Sequence, residues 1–240
     1  MREYLKTGIT LMIITVIAAL LLSVVYSIVR EPIANAELGA KLKAIRDVLE
    51  DPSTRRPLVQ DGKIPQTAVE LATFEWSPEA IDFGEGKVYV SDDGRSKVES
   101  PAYKFVADDG RNIYIVIGSS VGYGGDVKTM AAFVVTESGP ELNGIRVLEY
   151  SQETPGLGAN IASIDIQNRF FPVATEGLNK GLKVNQDANV TPTGDEIALR
   201  REVDGIITVS DVMTGATITP RAVAFSINAM YQFLKKAGAN

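Results

Sequence analysis

Between Thr7 and Val29 the chain runs for 23 residues without a charge, TGITLMIITVIAALLLSVVYSIV. As a helix rising 1.5 Å per residue, this stretch is long enough to cross a hydrocarbon core about 30 Å thick. It sets aside residues 1–30 as a membrane anchor, with the transmembrane helix at about 7–29, and leaves residues 31–240 for everything else. Ala34-Asn35-Ala36 has the small-x-small form of a signal-peptide cleavage site. Against cleavage, the apolar run exceeds the roughly 7 to 15 residues of a signal core, and Arg30, Glu31 and Pro32 intervene. Arg2 and Lys6 precede the run and Arg30, Lys41, Lys43 and Arg46 follow it, so the flanking charges give only a weak preference for the N-terminus inside.

The anchor holds three of the 24 basic and one of the 30 acidic residues, which leaves 21 basic and 29 acidic, net −8, in the remainder. An acidic domain argues against a nucleic-acid partner. The chain contains no cysteine and no histidine. Thiolate and imidazole metal sites, iron–sulfur clusters, haem held by either residue and Ser-His or Cys-His nucleophiles are thereby excluded. Redox chemistry in such a chain requires an organic cofactor.

After the anchor, Pro32 is expected to end the membrane helix or its immediate extension. Leu38, Leu42, Ile45 and Leu49 then share one helical face, predicting a short amphipathic helix from about Asn35 to Glu50, stopped by Asp51-Pro52. Residues 51–100 show weak periodicity and several prolines, and read as short strands and loops, with Trp76 beside Phe74 as core. Together, 31–100 form an amphipathic helix and an irregular, short-strand region. From Pro101 the pattern sharpens. AYKFV, a turn at ADDGR, and NIYIVIG with alternating Ile113, Ile115 and Ile117 predict a β-hairpin. GYGG at Gly122–Gly125 leads to a second pair, VKTMAAFVV and IRVLEY, joined through the polar TESGPELNG. A loop SQETPGLGAN, a helical stretch around Ile161–Phe171, a polar segment, a strand GIITVS and a terminal helix complete residues 101–240. The fold class is α+β: one N-terminal transmembrane helix plus a domain of antiparallel strands packed with helices.

The terminal helix starts in DVMTGATITPRAV. Thr219-Pro220 has the form of a hydroxyl N-cap followed by proline at the first helical position, and Val223, Ile227, Met230 and Leu234 mark its buried face. A helix N-terminus favours an anion, and Gly215 and Ala216 would let a phosphate approach the backbone. On spacing alone, TGAT reads first as a tight strand-to-helix turn with a cap.

The longer string DVMTGAT, Asp211–Thr217, resembles the flavinylation signature of the FMN-binding domain family. That family includes the G subunit of Rnf-type ion-translocating ferredoxin:NAD⁺ oxidoreductase complexes and the C subunit of the Na⁺-translocating NADH:quinone reductase. VLEYSQETPGLG and GYGG resemble two further elements of the family, and the Rnf member is the nearer likeness. Residues 51–100 carry no such resemblance. Ser151 stands where many members have histidine, and ANIAS follows the loop where a lysine is common.

The resemblance implies a membrane-anchored electron carrier with FMN joined to Thr217 through a phosphoester, and a domain lying outside the cytoplasm with the N-terminus inside. It would have no turnover of its own. Its partners would be the other subunits of the complex and a flavin transferase that recognises Asp211. Thr214 then shapes the loop or binds phosphate beside Gly215 and Ala216, and Thr219 caps the helix. In the second loop, Thr154 offers a hydroxyl, Leu157 an apolar face, and Gly156 and Gly158 close backbone approach. Glu153 is left with three roles: orienting the loop, bonding the flavin, or facing solvent. Tyr123 either stacks on the flavin or packs on its own loop. A membrane-tethered module without a redox flavin is the reading from another class.

Overall fold

Four long strands, each rich in β-branched and aromatic residues, build the centre of the protein. In the computed structural model, which describes residues 2–78, 81 and 88–239, these are β3 (Ser96–Val106), β4 (Asn112–Val121), β5 (Asp126–Thr136) and β6 (Gly139–Glu149). They pair antiparallel in chain order, and the short β1 (Glu75–Trp76) and β2 (Val88–Val90) both add to the outer edge of β3. The expected hairpins are therefore present. Gly139, at φ 117°, closes the second within two residues, so β6 begins inside the segment read as a polar turn.

The chain divides into two units, residues 1–41 and 42–240. The first lies in α1 (Arg2–Val48), which contains Pro32 and ends only at Val48. Pro32 was expected to end it, but one missing ladder bond in a 47-residue helix is tolerated. The helix is long and apolar enough to cross a membrane. Three of its hydroxyls are satisfied internally: Thr10, Thr15 and Ser27 donate to the carbonyls of Lys6, Leu11 and Ser23 at 3.0, 3.1 and 2.9 Å. That removes the cost of carrying them into lipid.

In the second unit both faces of the sheet are covered, as the burial of consecutive residues in β4 shows: Ile113, Tyr114, Ile115 and Val116 are all within the core. One face, with Tyr114, Val116, Ala131, Phe133 and Ile145, packs against α6 (Ile218–Lys236). A Cβ on Gly118 would come within 3.0 Å of Met230 Cγ, so glycine sets how closely the helix lies on β4. Trp76, expected in the core, is partly buried and packs against it on Tyr114 and Phe233. On the other face Phe105 stacks on Phe74, and Ile45, Val48 and Leu49 are fully buried. Here β6 bulges. Leu142 pairs with Phe133 and Gly144 with Ala132, leaving Asn143 between them. The Asn143 carboxamide donates to Val48 O and Glu50 O, both at 2.9 Å, capping the last turn of α1. Arg146 adds an ion pair to Asp47 at 3.1 Å.

After β6 come single turns at Gly158–Ala162, α3 (Ile164–Gln167) and 168–170, where one helical stretch was expected. Three helices were not expected from the sequence, α2 (Ala68–Ala72), within the stretch read as short strands and loops, α4 (Thr175–Lys180) and α5 (Glu196–Asp204). GIITVS contributes only β8 (Ile206–Ile207), parallel to β7 (Lys183–Val184). Of the short strands and loops expected over 51–100, residues 79, 80 and 82–87 lie outside the described residues.

Candidate functional site

The segment from β8 to α6 is held at both ends. Asn185, 2% exposed, accepts from the backbone N–H of Val209 and Ser210 and donates to Ser210 Oγ at 2.7 Å. Met213 and Ala216 sink into the core and Gly215 turns at φ 80°, which carries the chain into α6. Thr214 donates to Ser210 O at 3.1 Å, a loop-shaping bond. Asp211 is exposed and paired with Arg169, whose hydrogen bonds and charge hold its carboxyl below the ordinary aspartate value, against a smaller opposing effect of burial.

The helix begins earlier than Thr219-Pro220 suggested. Thr217 takes the N-cap position (φ −79°, ψ −31°), with no side-chain cap bond. Thr219 and Pro220 fall inside the first turn, where the missing proline N–H is still one of the groups without a helical partner. Thr219 is therefore not the cap. Its hydroxyl, 1% exposed, donates to Glu153 Oε2 at 2.5 Å. The half-buried Thr217 hydroxyl stands at an uncapped helix N-terminus, which attracts an anion.

Glu153 connects the three segments that the sequence singled out. Only 4% exposed, it receives Thr219 on one oxygen and, on the other, the backbone N–H groups of Tyr123 at 2.8 Å and Gly124 at 3.3 Å. Of the three roles open to it, facing solvent is thereby removed, and it fastens the loops together. The glycines around it are small because they must be. A Cβ on Gly122 would lie 2.2 Å from Glu153 Oε1, and one on Gly158 2.2 Å from Oε2 and 2.6 Å from the Thr219 hydroxyl. On Gly124 a Cβ would lie 1.7 Å from the Gln152 carbonyl oxygen. Gly156 instead supplies a positive φ of 75° to the ETPGLG turn.

These segments enclose a cavity of about 390 Å³, within the range of small-molecule sites. Thr217, Gly215, Ala216 and Ile218 form one wall, Glu153, Thr154, Leu157 and Gly158 another, with Tyr123 at the rim and Thr219 at the base beside Glu153. Tyr123, Leu157 and Ile218 are 72%, 44% and 42% exposed, an apolar surround for a planar ring. Thr214, Gly156 and Asp211 are not among the lining residues. An anion site at a helix start beside an apolar, hydroxyl-bearing cleft matches the two ends of FMN, its phosphate and its ring.

Residues 122–232, which contain the whole cavity, match the model of the FMN-binding domain. A crystal structure from Thermotoga maritima, assigned as an RnfG subunit of an electron transport complex, superposes with a TM-score of 0.63 at 37% identity, covering 83% of this chain and 98% of that one. The chain belongs to the RnfG family of FMN-binding proteins. Two curated members are similar along nearly their whole length, each named as the G subunit of an ion-translocating oxidoreductase complex. The one from Methanosarcina acetivorans is 24% identical over 97% of this chain and 95% of its own. The one from Vibrio cholerae serotype O1 is 24% identical over 96% and 90%.

In this RnfG relative, three residues that shape the site were absent from the sequence reading: Arg169, Asn185 and Ile218. Asn185 acts across 24 and 25 residues of chain and Arg169 across 42, and nothing local in KVNQD or QNRF marks them. Ile218 had a signal, since it directly follows the DVMTGAT string.

Proposed function

We propose that this protein is the electron-carrying G subunit of a membrane-bound, Rnf-type ion-translocating oxidoreductase, with FMN esterified to Thr217. The observation that carries the reading is the Thr217 hydroxyl, placed at an uncapped helix N-terminus on the wall of a cavity in a member of this family. Bound FMN supplies one-electron chemistry. The chain's part is to hold it. The start of α6 receives the phosphate, Gly215 and Ala216 permit its close approach, and Thr154, Leu157 and Tyr123 surround the ring.

An ester bond suits a carrier that works where free FMN is scarce, and supports an extracytoplasmic domain with the N-terminus of α1 in the cytoplasm. In this arrangement the protein passes electrons between other subunits that link ferredoxin and NAD⁺ to ion movement, and turns over no substrate itself. A flavin transferase installs the cofactor, with Asp211 as part of what it reads.

The test is expression with a flavin transferase, then denaturing electrophoresis and intact mass of the chain and of Thr217→Ala. Fluorescence and an added mass of FMN less water are expected in the parent and absent in the variant. A dark parent, alongside a control protein that the same transferase labels, would sink the proposal.

A further inference from the structure

The fastening carboxylate has an electrical consequence. Glu153 is the one carboxylate among the described residues that line the cavity, and it is almost fully buried. Its partners are two backbone N–H groups and one hydroxyl, all donors and none cationic. Donors alone are the complement of an ionised carboxylate, which only accepts. Both of its oxygens are hydrogen-bonded, and among the described residues no cationic side chain is in contact with it. Inside a protein such a charge acts on neighbouring groups far more strongly than it would in water.

We infer that Glu153 is a potential-setting positioning residue: it clasps the three segments around the flavin, and its buried negative charge lowers the potential of the FMN beside it. The inference rests on the proposed cofactor. An electron arriving on a flavin meets the repulsion of that carboxylate, so the oxidised form is favoured relative to the same cavity without the charge. The geometry also provides a clean substitution. In Glu153→Gln the amide oxygen can still accept the Tyr123 and Gly124 N–H groups. Its NH₂ faces Thr219, whose hydroxyl can turn to accept. Shape and bonds are retained while the charge is removed.

The experiment is a redox titration of the full-length, FMN-loaded chain, followed by visible absorbance, for the parent, Glu153→Gln and Glu153→Asp. Aspartate keeps the charge but is one methylene short, so it loosens the fastening. Expected is a midpoint potential that moves positive in Glu153→Gln and stays near the parent's in Glu153→Asp, while thermal stability falls more in Glu153→Asp. An unchanged potential in Glu153→Gln, or an equal rise in both variants, overturns the electrical role. Intact mass is read first: a parent with no FMN overturns the cofactor assignment and this inference together, whereas a loaded parent with an unshifted glutamine variant overturns this inference alone.

Discussion

Arg169 Nη1 lies 2.6 Å from Asp211 Oδ1 and 2.7 Å from Oδ2, joining residues 42 positions apart. The same nitrogen reaches Thr208 O at 3.3 Å, so one guanidinium ties both ends of the short run that leads into the Thr214–Thr217 loop. Replacing Arg169 by Gln should leave the domain folded but present Asp211 less uniformly to the transferase. The ion pair is partly exposed, and a solvent-screened pair is worth roughly 0.5–1 kcal/mol, so the rate of FMN attachment should fall by about two- to fivefold. Time-resolved in-gel fluorescence measures this, and an unchanged rate would disconnect Arg169 from maturation.

The same pair predicts a pH response. Arg169 depresses the Asp211 carboxyl below its ordinary value of 3.8. A depressed acid stabilises the folded state fully above its unfolded value and loses that contribution as pH falls through its folded value. The parent should therefore melt at a higher temperature than Asp211→Asn near neutrality, with the gap closing as the pH is taken below 3.8. A gap independent of pH would contradict the assignment of the stabilisation to this charge.

Alanine at the small positions should act by collision. At Gly158 the new methyl meets two side-chain oxygens that can shift, whereas at Gly124 it meets the Gln152 backbone carbonyl. Forcing a methyl into filled space costs about 1–3 kcal/mol, and Gly124→Ala should sit at the upper end of that range because backbone yields least. Denaturant unfolding ranks the two, and both should make the domain more readily cleaved in limited proteolysis.

Asn143→Ala removes a buried bond to Val48 O, the last carbonyl of α1, and a part-buried one to Glu50 O just beyond it. Unsatisfied buried acceptors cost about 1–3 kcal/mol. The detergent-solubilised full chain should lose that much stability, with FMN attachment at Thr217 preserved. A variant as stable as the parent would show that water replaces the amide.

What the sequence made legible was whatever repeats locally. The alternation in β4, the hairpin turns and the stripe Val223, Ile227, Met230, Leu234 each announce an element through neighbours a few residues apart, and all are present. α5 escaped because its Glu-Ile-Ala-Leu-Arg-Arg-Glu-Val-Asp has no buried face; none of its residues is fully buried. Its visible support is surface pairing, as in Arg200 with Glu196 and Asp204. The start of α6 was misplaced because a Thr-Pro pair satisfies the rules for a cap, while the competitor for the Thr219 hydroxyl, Glu153, lies 66 residues earlier. Thr217 was singled out through a family string. That it stands uncapped on a cavity wall, with Glu153 locking the neighbouring loops, depends on distant contacts that no local pattern records.

The seating of α6 on the sheet has a consequence for the order of events in the cell. Every strand of the sheet is translated before α6, so a nascent chain carries Tyr114, Val116, Ala131, Phe133 and Ile145 as an uncovered apolar face until the helix arrives. During that interval the chain is exposed to misassociation of the kind that engages chaperones. The cavity does not exist in that interval either, since Thr217 and Thr219 are delivered by the same helix. Folding of this unit and readiness for its cofactor are therefore a single late event in the life of the chain.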